Sequence, residues 1–590
     1  MTGFEVQRLP FEADAVKVWA AGDRRRVNWP VVYVLDGERP ARAGELTDIY
    51  VGESLNAAGR MRQHLDSPSK QTLTTMRVIL DDRFNKSVCL DLESFLIRML
   101  SGDGAFRVLN RNDGITDSDY YDRETYRQTF LDVFEELRHD GIFTRSVPEI
   151  ENSDLFKLSP FKALTQDQAI AVEDIVEGVI DDLRDGGSTT MVVQGEPGTG
   201  KTVIAIYLLK MLADIAAMRE GDEPDADSLF SEFFVSENRD LLAGARVGIV
   251  VPQQSLRDSI KKVFRRTPGL SATMVLTPFQ VGESPEEFDL LIVDEAHRLN
   301  QRANQASGVQ NRKFRDINVA LFGEDDTSKT QLDWIVAKSR HQILMLDAAQ
   351  SVRPADLPLE QIQAIVDRAR SEHRHYPLVS QLRVNAGPGY IGFVRALLGD
   401  PVSAERREAP DLSDYEFALF DDLGEMQDAI RERDARFGLA RLVAGYAWPW
   451  LTKLDKSAFD IEVDGVSLRW NSTQTDWIAS KGSLDEVGSI HTVQGYDLNY
   501  AGVIIGRDLR YDRVAGRLFI DRDSYFDKKG KENNPVLGRT YSDDDLLRYI
   551  TNIYAVLLTR GIRGTFVYAC DPGLREYLRE RMPRASSVPP

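Results

Sequence analysis

The 590-residue chain holds two cysteines, Cys89 and Cys570, far apart and each inside an apolar run. No disulfide framework can be built from them, and both read as buried, reduced thiols suited to a reducing cytoplasm. No stretch approaches the ~18 consecutive apolar residues of a membrane span. The opening residues MTGFEVQRLP lack the basic-then-apolar layout of a signal peptide. Positive charge is also short, with 73 Lys and Arg against 93 Asp and Glu, a net charge of −20. That balance argues against a general nucleic-acid-coating protein but not against one that grips a strand in a local basic groove. The acid is uneven: residues 221–240 are strongly acidic and read as a solvated insertion. There is no internal repeat and no long low-complexity tract.

What is present is length and alternation. At roughly 100–200 residues per domain the chain has room for about three to five domains. The first ~110 residues mix short β-like runs with helical ones. VVYVLDG (31–37) and DIYVGES (48–54) read as strands, and AAGRMRQHL (57–65) and VCLDLESFLIRML (88–100) as helices. Residues 115–160 are charged, partly helical and expected to join two units. From about 161 strands and helices alternate, which predicts parallel, doubly wound sheets. The strand candidates are 189–195, 246–252, 289–295 and 342–348, then a second set at 416–422, 439–445, 502–508 and 564–570.

The strand MVVQ runs into Gly195-Glu196-Pro197-Gly198-Thr199-Gly200-Lys201-Thr202 and then into the apolar helix VIAIYLLKMLADI. This is the strand–loop–helix setting of a phosphate-binding loop. Its glycines let backbone N–H groups converge on phosphate oxygens, and the helix amino end adds favourable partial charge. Lys201 is expected on the β- and γ-phosphates of ATP and Thr202 on Mg²⁺. LLIVDEAHRL (290–299) ends an apolar strand in two carboxylates. Asp294 is expected to hold Mg²⁺, directly or through water, and Glu295 to polarise the attacking water. His297 reads equally as a coupling residue or a structural one.

The order of further motifs over about 160–575 resembles a superfamily 1 helicase, in particular the bacterial relatives of the Schlafen helicase-like domain. The resemblance implies two RecA-like lobes. LTQDQAIAVEDI (164–175) is similar to the motif that reads adenine, with Gln168 its candidate. VVPQQSLRDSI (250–260) resembles a strand-contacting motif, and LMLDAAQSVRP (344–354) the sensor motif, with Gln350 near the γ-phosphate. VSQLRVN (379–385) supplies Arg383, and NIYAVLLTRGIRGTFVYACD (552–571) supplies Arg560; both are implied to reach the γ-phosphate from the second lobe. GSIHTVQGYDLNYAGVIIGRDL (488–509) resembles the motif that links nucleotide to strand, through His491, Thr492, Gln494 and Gly495. Arg563 reads as ordinary surface charge. Arginine suits the γ-phosphate because it keeps its charge and forks onto phosphate oxygens. The block 446–486 is unfamiliar; its Trp448, Trp450, Trp470 and Trp477 read as core more readily than as base-stacking platforms.

Residues 30–112 resemble the GIY-YIG nuclease domain. The first signature is degenerate, Val31-Val32-Tyr33, and the second is clear, Tyr50-Val51-Gly52. Arg60 and His64 follow at a spacing that puts both on one helix face, then Glu93 and Asn110. The resemblance implies one site. Glu93 would hold a single Mg²⁺ or Mn²⁺, and Arg60 would neutralise charge on the phosphate. Tyr33 or Tyr50 would orient or deprotonate water with help from His64, and Asn110 would position the network.

The fold expected is α/β: a small α+β GIY-YIG domain (1–112), a helical linker (113–160), a first lobe (161–375), a second lobe (376–580) with an insertion at 446–486, and a flexible tail (581–590). The function expected is a metal-dependent endonuclease fused to an ATP-driven helicase or translocase. Its partner is nucleic acid, DNA ahead of RNA, with a protein partner or a second copy left open and no membrane. Phage defence or repair follows by analogy of architecture. The alternative is a nucleotide-gated nucleic-acid sensor whose amino domain does not cut.

Overall fold

The computed structural model describes residues 3–38, 46–111, 120–219, 230–302, 305, 307–347, 353–378, 384–387, 389–399, 410, 412–473, 477–493, 497–528, 530–534 and 536–582. Four expected site residues, Gln350, Arg383, Gln494 and Gly495, lie outside them, as do the tail from 583 and 221–229 of the acidic insertion. The chain divides into two compact units. The first is Met1–Glu177 with Ile206–Gly244 and Ser259–Thr273, and the second is Gly178–Ala205, Ala245–Asp258 and Met274–Pro590.

In the first unit, strands β1 (Phe4–Pro10), β2 (Val31–Gly37), β3 (Thr47–Ser54), β4 (Leu73–Asp81) and β5 (Phe106–Val108) form one sheet in the order β1-β4-β2-β3-β5. The pairs β1/β4, β4/β2 and β2/β3 are antiparallel, and β3/β5 is parallel. β2 is buried along its whole length, so its two faces feed two cores. Val31, Tyr33 and Leu35 pack on one side with Ala57, Ala58 and Met61 of the helix Ala57–Asp66. Val32 and Val34 pack on the other with Leu92 and Leu96 of the helix Lys86–Asp103. The segment expected as a linker is not a spacer. Its helix Arg123–His139 places Phe130, Val133, Phe134 and Leu137 on one stripe, and these join the same core as Val32 and Val34.

The second unit holds two mainly parallel sheets. The first has strands β6 (Thr189–Gly195), β7 (Val247–Val250), β8 (Val275–Leu276), β9 (Phe288–Val293), β10 (Ser339–Leu346) and β11 (His375–Leu378), in the order β11-β6-β10-β9-β7-β8. All its pairs are parallel. Near-continuous apolar runs such as LLIV and ILML give strands buried on both faces, as parallel sheets require. The second has β12 (Glu416–Leu419), β13 (Ala440–Ala444), β14 (Ile461–Val463), β15 (Val466–Trp470), β16 (Glu486–Ser489), β17 (Leu498–Ile505) and β20 (Gly561–Ala569), in the order β12-β20-β17-β13-β16-β15-β14. Only β14/β15 is antiparallel. A separate antiparallel pair, β18 (Leu509–Asp512) and β19 (Arg517–Ile520), follows β17. The unfamiliar block 446–486 thus extends the second sheet at one edge. Trp470 and Trp477 are 1% and 0% exposed, which makes them packing residues and removes them as base platforms, while Trp448 and Trp450 are half-buried.

Candidate functional site

In the first parallel sheet β10 lies between β6 and β9, so the carboxyl ends of three adjacent strands meet. That edge is where open α/β sheets bind ligands. β6 delivers the loop 195–202, β9 delivers Asp294 and Glu295, and β10 delivers Asp347. Gly198 and Gly200 turn the loop with φ of +89° and +84°, a region that side-chain-bearing residues avoid. Lys201 then opens the helix Lys201–Ala216. Its ammonium folds back on the loop, donating to Gly195 O at 2.7 Å and Glu196 O at 2.9 Å, with Asp347 Oδ2 at 3.9 Å.

Thr202 Oγ1 donates to Asp294 Oδ2 at 2.9 Å. The other oxygen, Asp294 Oδ1, is buried with no hydrogen-bond partner. Two oxygen donors of this kind, one of them an uncompensated carboxylate oxygen, fit a hard cation such as Mg²⁺. Burial and then the neighbouring Glu295 charge raise the Asp294 pKa. Burial also pushes Glu295 up, but His297, Lys201 and Arg298 together outweigh it and hold that carboxylate low.

His297 is fully buried and bridges two strand ends. Its Nδ1 accepts the Asp347 amide at 3.3 Å. In the neutral ring the hydrogen therefore sits on Nε2, which lies 3.0 Å from Glu295 Oε2 but off the hydrogen-bonding direction. Sequence reasoning passed over Asp347. The signal was there: an apolar strand, QILML, ending in an acid, just as LLIV ends in Asp294.

The other expected residues fall as follows. Gln168 belongs to the first unit and is buried, its Oε1 accepting the Thr165 amide at 3.1 Å. Thr492 follows β16, is buried, and its hydroxyl lies 2.9 Å from that of Ser489. His491 is in the short helix Ile490–Val493. Arg560 is buried where the helix Asp543–Leu558 turns into β20, and its carbonyl accepts the Leu498 amide at 3.1 Å. Arg563 instead stands over the Phe437 ring at 5.0 Å.

In the first unit Tyr33 on β2 pairs with Gly52 on β3. A Cβ on Gly52 would stand 2.2 Å from Tyr33 Oη, so only glycine admits the phenol there. Tyr33 Oη lies 2.7 Å from His64 Nε2, and Lys70 Nζ lies 2.8 Å from His64 Nδ1. An ammonium only donates, so His64 carries its hydrogen on Nε2 and donates it to Tyr33. Lys70 also sits 3.3 Å from the Tyr50 ring centre, and the Tyr50 and His64 rings meet edge-on at 5.1 Å. Burial, then Lys70 and Arg60, press the His64 pKa down to about 2. Burial above all raises that of Tyr33, with Tyr50 and Glu93 adding to it and Arg60 opposing. The Asn110 amide donates to Val51 O at 2.8 Å and accepts Val51 N at 3.1 Å, which fixes β3 beside Tyr50. Lys70 was missed because it lies in the short turn Pro68–Lys70 outside any motif. Among the described residues no group of three or more His, Cys, Asp or Glu side chains is placed to hold a metal.

A family model described as the Schlafen group 3, DNA/RNA helicase domain matches residues 188–571. The chain belongs to this family. Its larger part is accordingly a helicase-like, nucleotide-binding ATPase domain. A similar chain is the uncharacterized protein YPL245W of Saccharomyces cerevisiae, 27% identical over 419 residues, which cover 66% of this chain and 83% of that one. Replication factor C small subunit 2 of Pyrobaculum arsenaticum is 26% identical over 154 residues, 26% of this chain and 37% of that subunit. Among solved structures, the Pif1 helicase from Bacteroides in complex with ADP-AlF3 and ssDNA aligns at a TM-score of 0.27 and 10% identity, over 68% of this chain and 93% of that one. No described helix is long and apolar enough to cross a membrane.

Proposed function

We propose that this Schlafen-group-3 chain is a motor on nucleic acid, DNA ahead of RNA, fused to a GIY-YIG-type endonuclease. On this reading residues 1–112 form the nuclease, 113–160 the helical segment that follows it, and the lobes span about 161–375 and 376–580. Lys201 leaves the loop carbonyls for the β- and γ-phosphates of ATP, and Gln168 reads the adenine. Thr202 and Asp294 hold Mg²⁺, which supplies charge neutralisation on those phosphates. Glu295, kept ionised by His297 and Lys201, takes the proton of the attacking water. Arg383 and Arg560 answer the γ-phosphate from the second lobe, with Gln350 as sensor. His491, Thr492, Gln494 and Gly495 pass the nucleotide state to the strand.

The observation that carries the nuclease half is the chain Lys70–His64–Tyr33, set beside Tyr50, Arg60 and Glu93. Held neutral, His64 cannot serve as an imidazolium acid; its part is to aim Tyr33. With a raised pKa, Tyr33 stays a phenol near pH 7 and orients the water that attacks phosphorus. Arg60 neutralises the developing phosphate charge. A divalent cation on Glu93 would stabilise the leaving oxygen. Such a fusion suits defence against phage or repair of DNA.

The test measures ATP hydrolysis and plasmid nicking side by side, with Mg²⁺ and with Mn²⁺, on the full chain. Lys201→Ala should stop hydrolysis, and Glu93→Ala should stop nicking and spare basal hydrolysis. Hydrolysis without nicking by the wild type on any DNA or RNA would leave a nucleotide-gated binding module in place of the nuclease.

A further inference from the structure

Beside the phosphate loop the second unit opens a narrow cleft. Pro197 forms one wall. Ile391, Val394 and Arg395 of the helix Tyr390–Leu397 form another, with Val556 and Thr559 from the end of the helix Asp543–Leu558. Arg395 is the one charged residue among those lining it. Its Nε is buried without a hydrogen-bond partner, and no described residue forms an ion pair with its guanidinium. A guanidinium cannot shed its proton, so a half-buried one facing a neutral wall calls for an anion. The loop's own acid, Glu196, feels that charge but forms no ion pair with it. That carboxyl stands at the solvent edge, where surrounding protein raises its pKa by desolvation and Arg395 is the first charge opposing the rise.

We propose that Arg395 is a further catalytic residue of the ATPase, reaching the terminal phosphate of a nucleoside triphosphate across this cleft. The loop 195–202 holds the phosphate chain on one side and Arg395 meets it from the other. The role is additional to those of Arg383 and Arg560, which belong to separate motifs. It makes the helix Tyr390–Leu397 an element that distinguishes triphosphate from diphosphate. The assignment rests on nucleotide binding at the loop.

Affinities of the full-length chain for ADP and for AMP-PNP, each with Mg²⁺, test it, together with kcat and KM for ATP. A charge-assisted bond to the γ-phosphate predicts that Arg395→Ala weakens AMP-PNP by about 10-fold or more and lowers kcat, while ADP changes less than about 2-fold. Arg395→Lys, which keeps charge and most of the packing, should recover part of both losses. Equal losses for ADP and AMP-PNP, or no loss for either, would overturn the role of Arg395. A wild type that binds neither nucleotide would overturn the loop site itself, and the assignment with it.

Discussion

Asp508, just beyond the end of β17, has a carboxyl that is 1% exposed. Tyr554 Oη donates to its Oδ1 at 2.7 Å and the Leu509 amide at 3.1 Å, but neither offsets desolvation, and the pKa is pushed up to about 7. The sign follows directly. Between its unfolded value of 3.8 and about 7 the folded chain binds the extra proton. The stability from this group is full below the unfolded value and is lost as pH rises through the folded one. At about 1.4 kcal/mol per pKa unit, the wild type should lose ~2.5 kcal/mol between pH 5 and pH 8 through Asp508 alone. Asp508→Asn keeps the accepting oxygen and removes the titration. The variant should therefore gain on the wild type as pH rises, by roughly 3 °C in the melting of the second unit across that window. Differential scanning calorimetry of both proteins at the two pH values isolates the term, because every other group cancels. A gap between variant and wild type that is the same at pH 5 and pH 8 would refute it.

Lys201→Ala should lower ATP turnover by about 10²–10³ with unfolding unchanged, read by phosphate release. Gly52→Ala drives a methyl group to 2.2 Å from Tyr33 Oη, so it should cost ~1–3 kcal/mol in the first unit and abolish nicking; wild-type nicking would place Tyr33 outside the site. Lys70→Met removes the second-largest cause of the low His64 pKa. NMR titration should show His64 moving upward while burial still holds it below 6.5, and an unmoved value would discard Lys70 as its partner.

The strands that carry the nucleotide site were legible because each is a short, wholly apolar run closed by glycine or acid, and a parallel sheet buried on both faces demands that pattern. β14 and β15 were not, because their alternating, partly charged residues carry a weaker signal than a buried run, and their flanking tryptophans draw attention to surface chemistry that Trp470 and Trp477, packed in the core, do not perform. The helix Arg123–His139 was legible as a helix but not as core: its charges are local, whereas the partners of Phe130 and Phe134 lie on strands far back in sequence. In the first unit Tyr33, Tyr50, Arg60, His64 and Glu93 follow a recognisable order. Lys70 does not, since what gives it meaning is a contact through space to His64.

The same difference separates Asp347 from Asp294. Both close apolar strands, but only Asp294 stands in a motif, and strand order alone says that β10 lies between β6 and β9. Once it does, Asp347 is a second link between the two halves of the site, beside the Thr202–Asp294 hydrogen bond. Its carboxylate lies 3.9 Å from the Lys201 ammonium, and its amide fixes the His297 ring that faces Glu295. A displacement of the chain just after β10 would therefore be felt at once at Lys201 and, through His297, at Glu295.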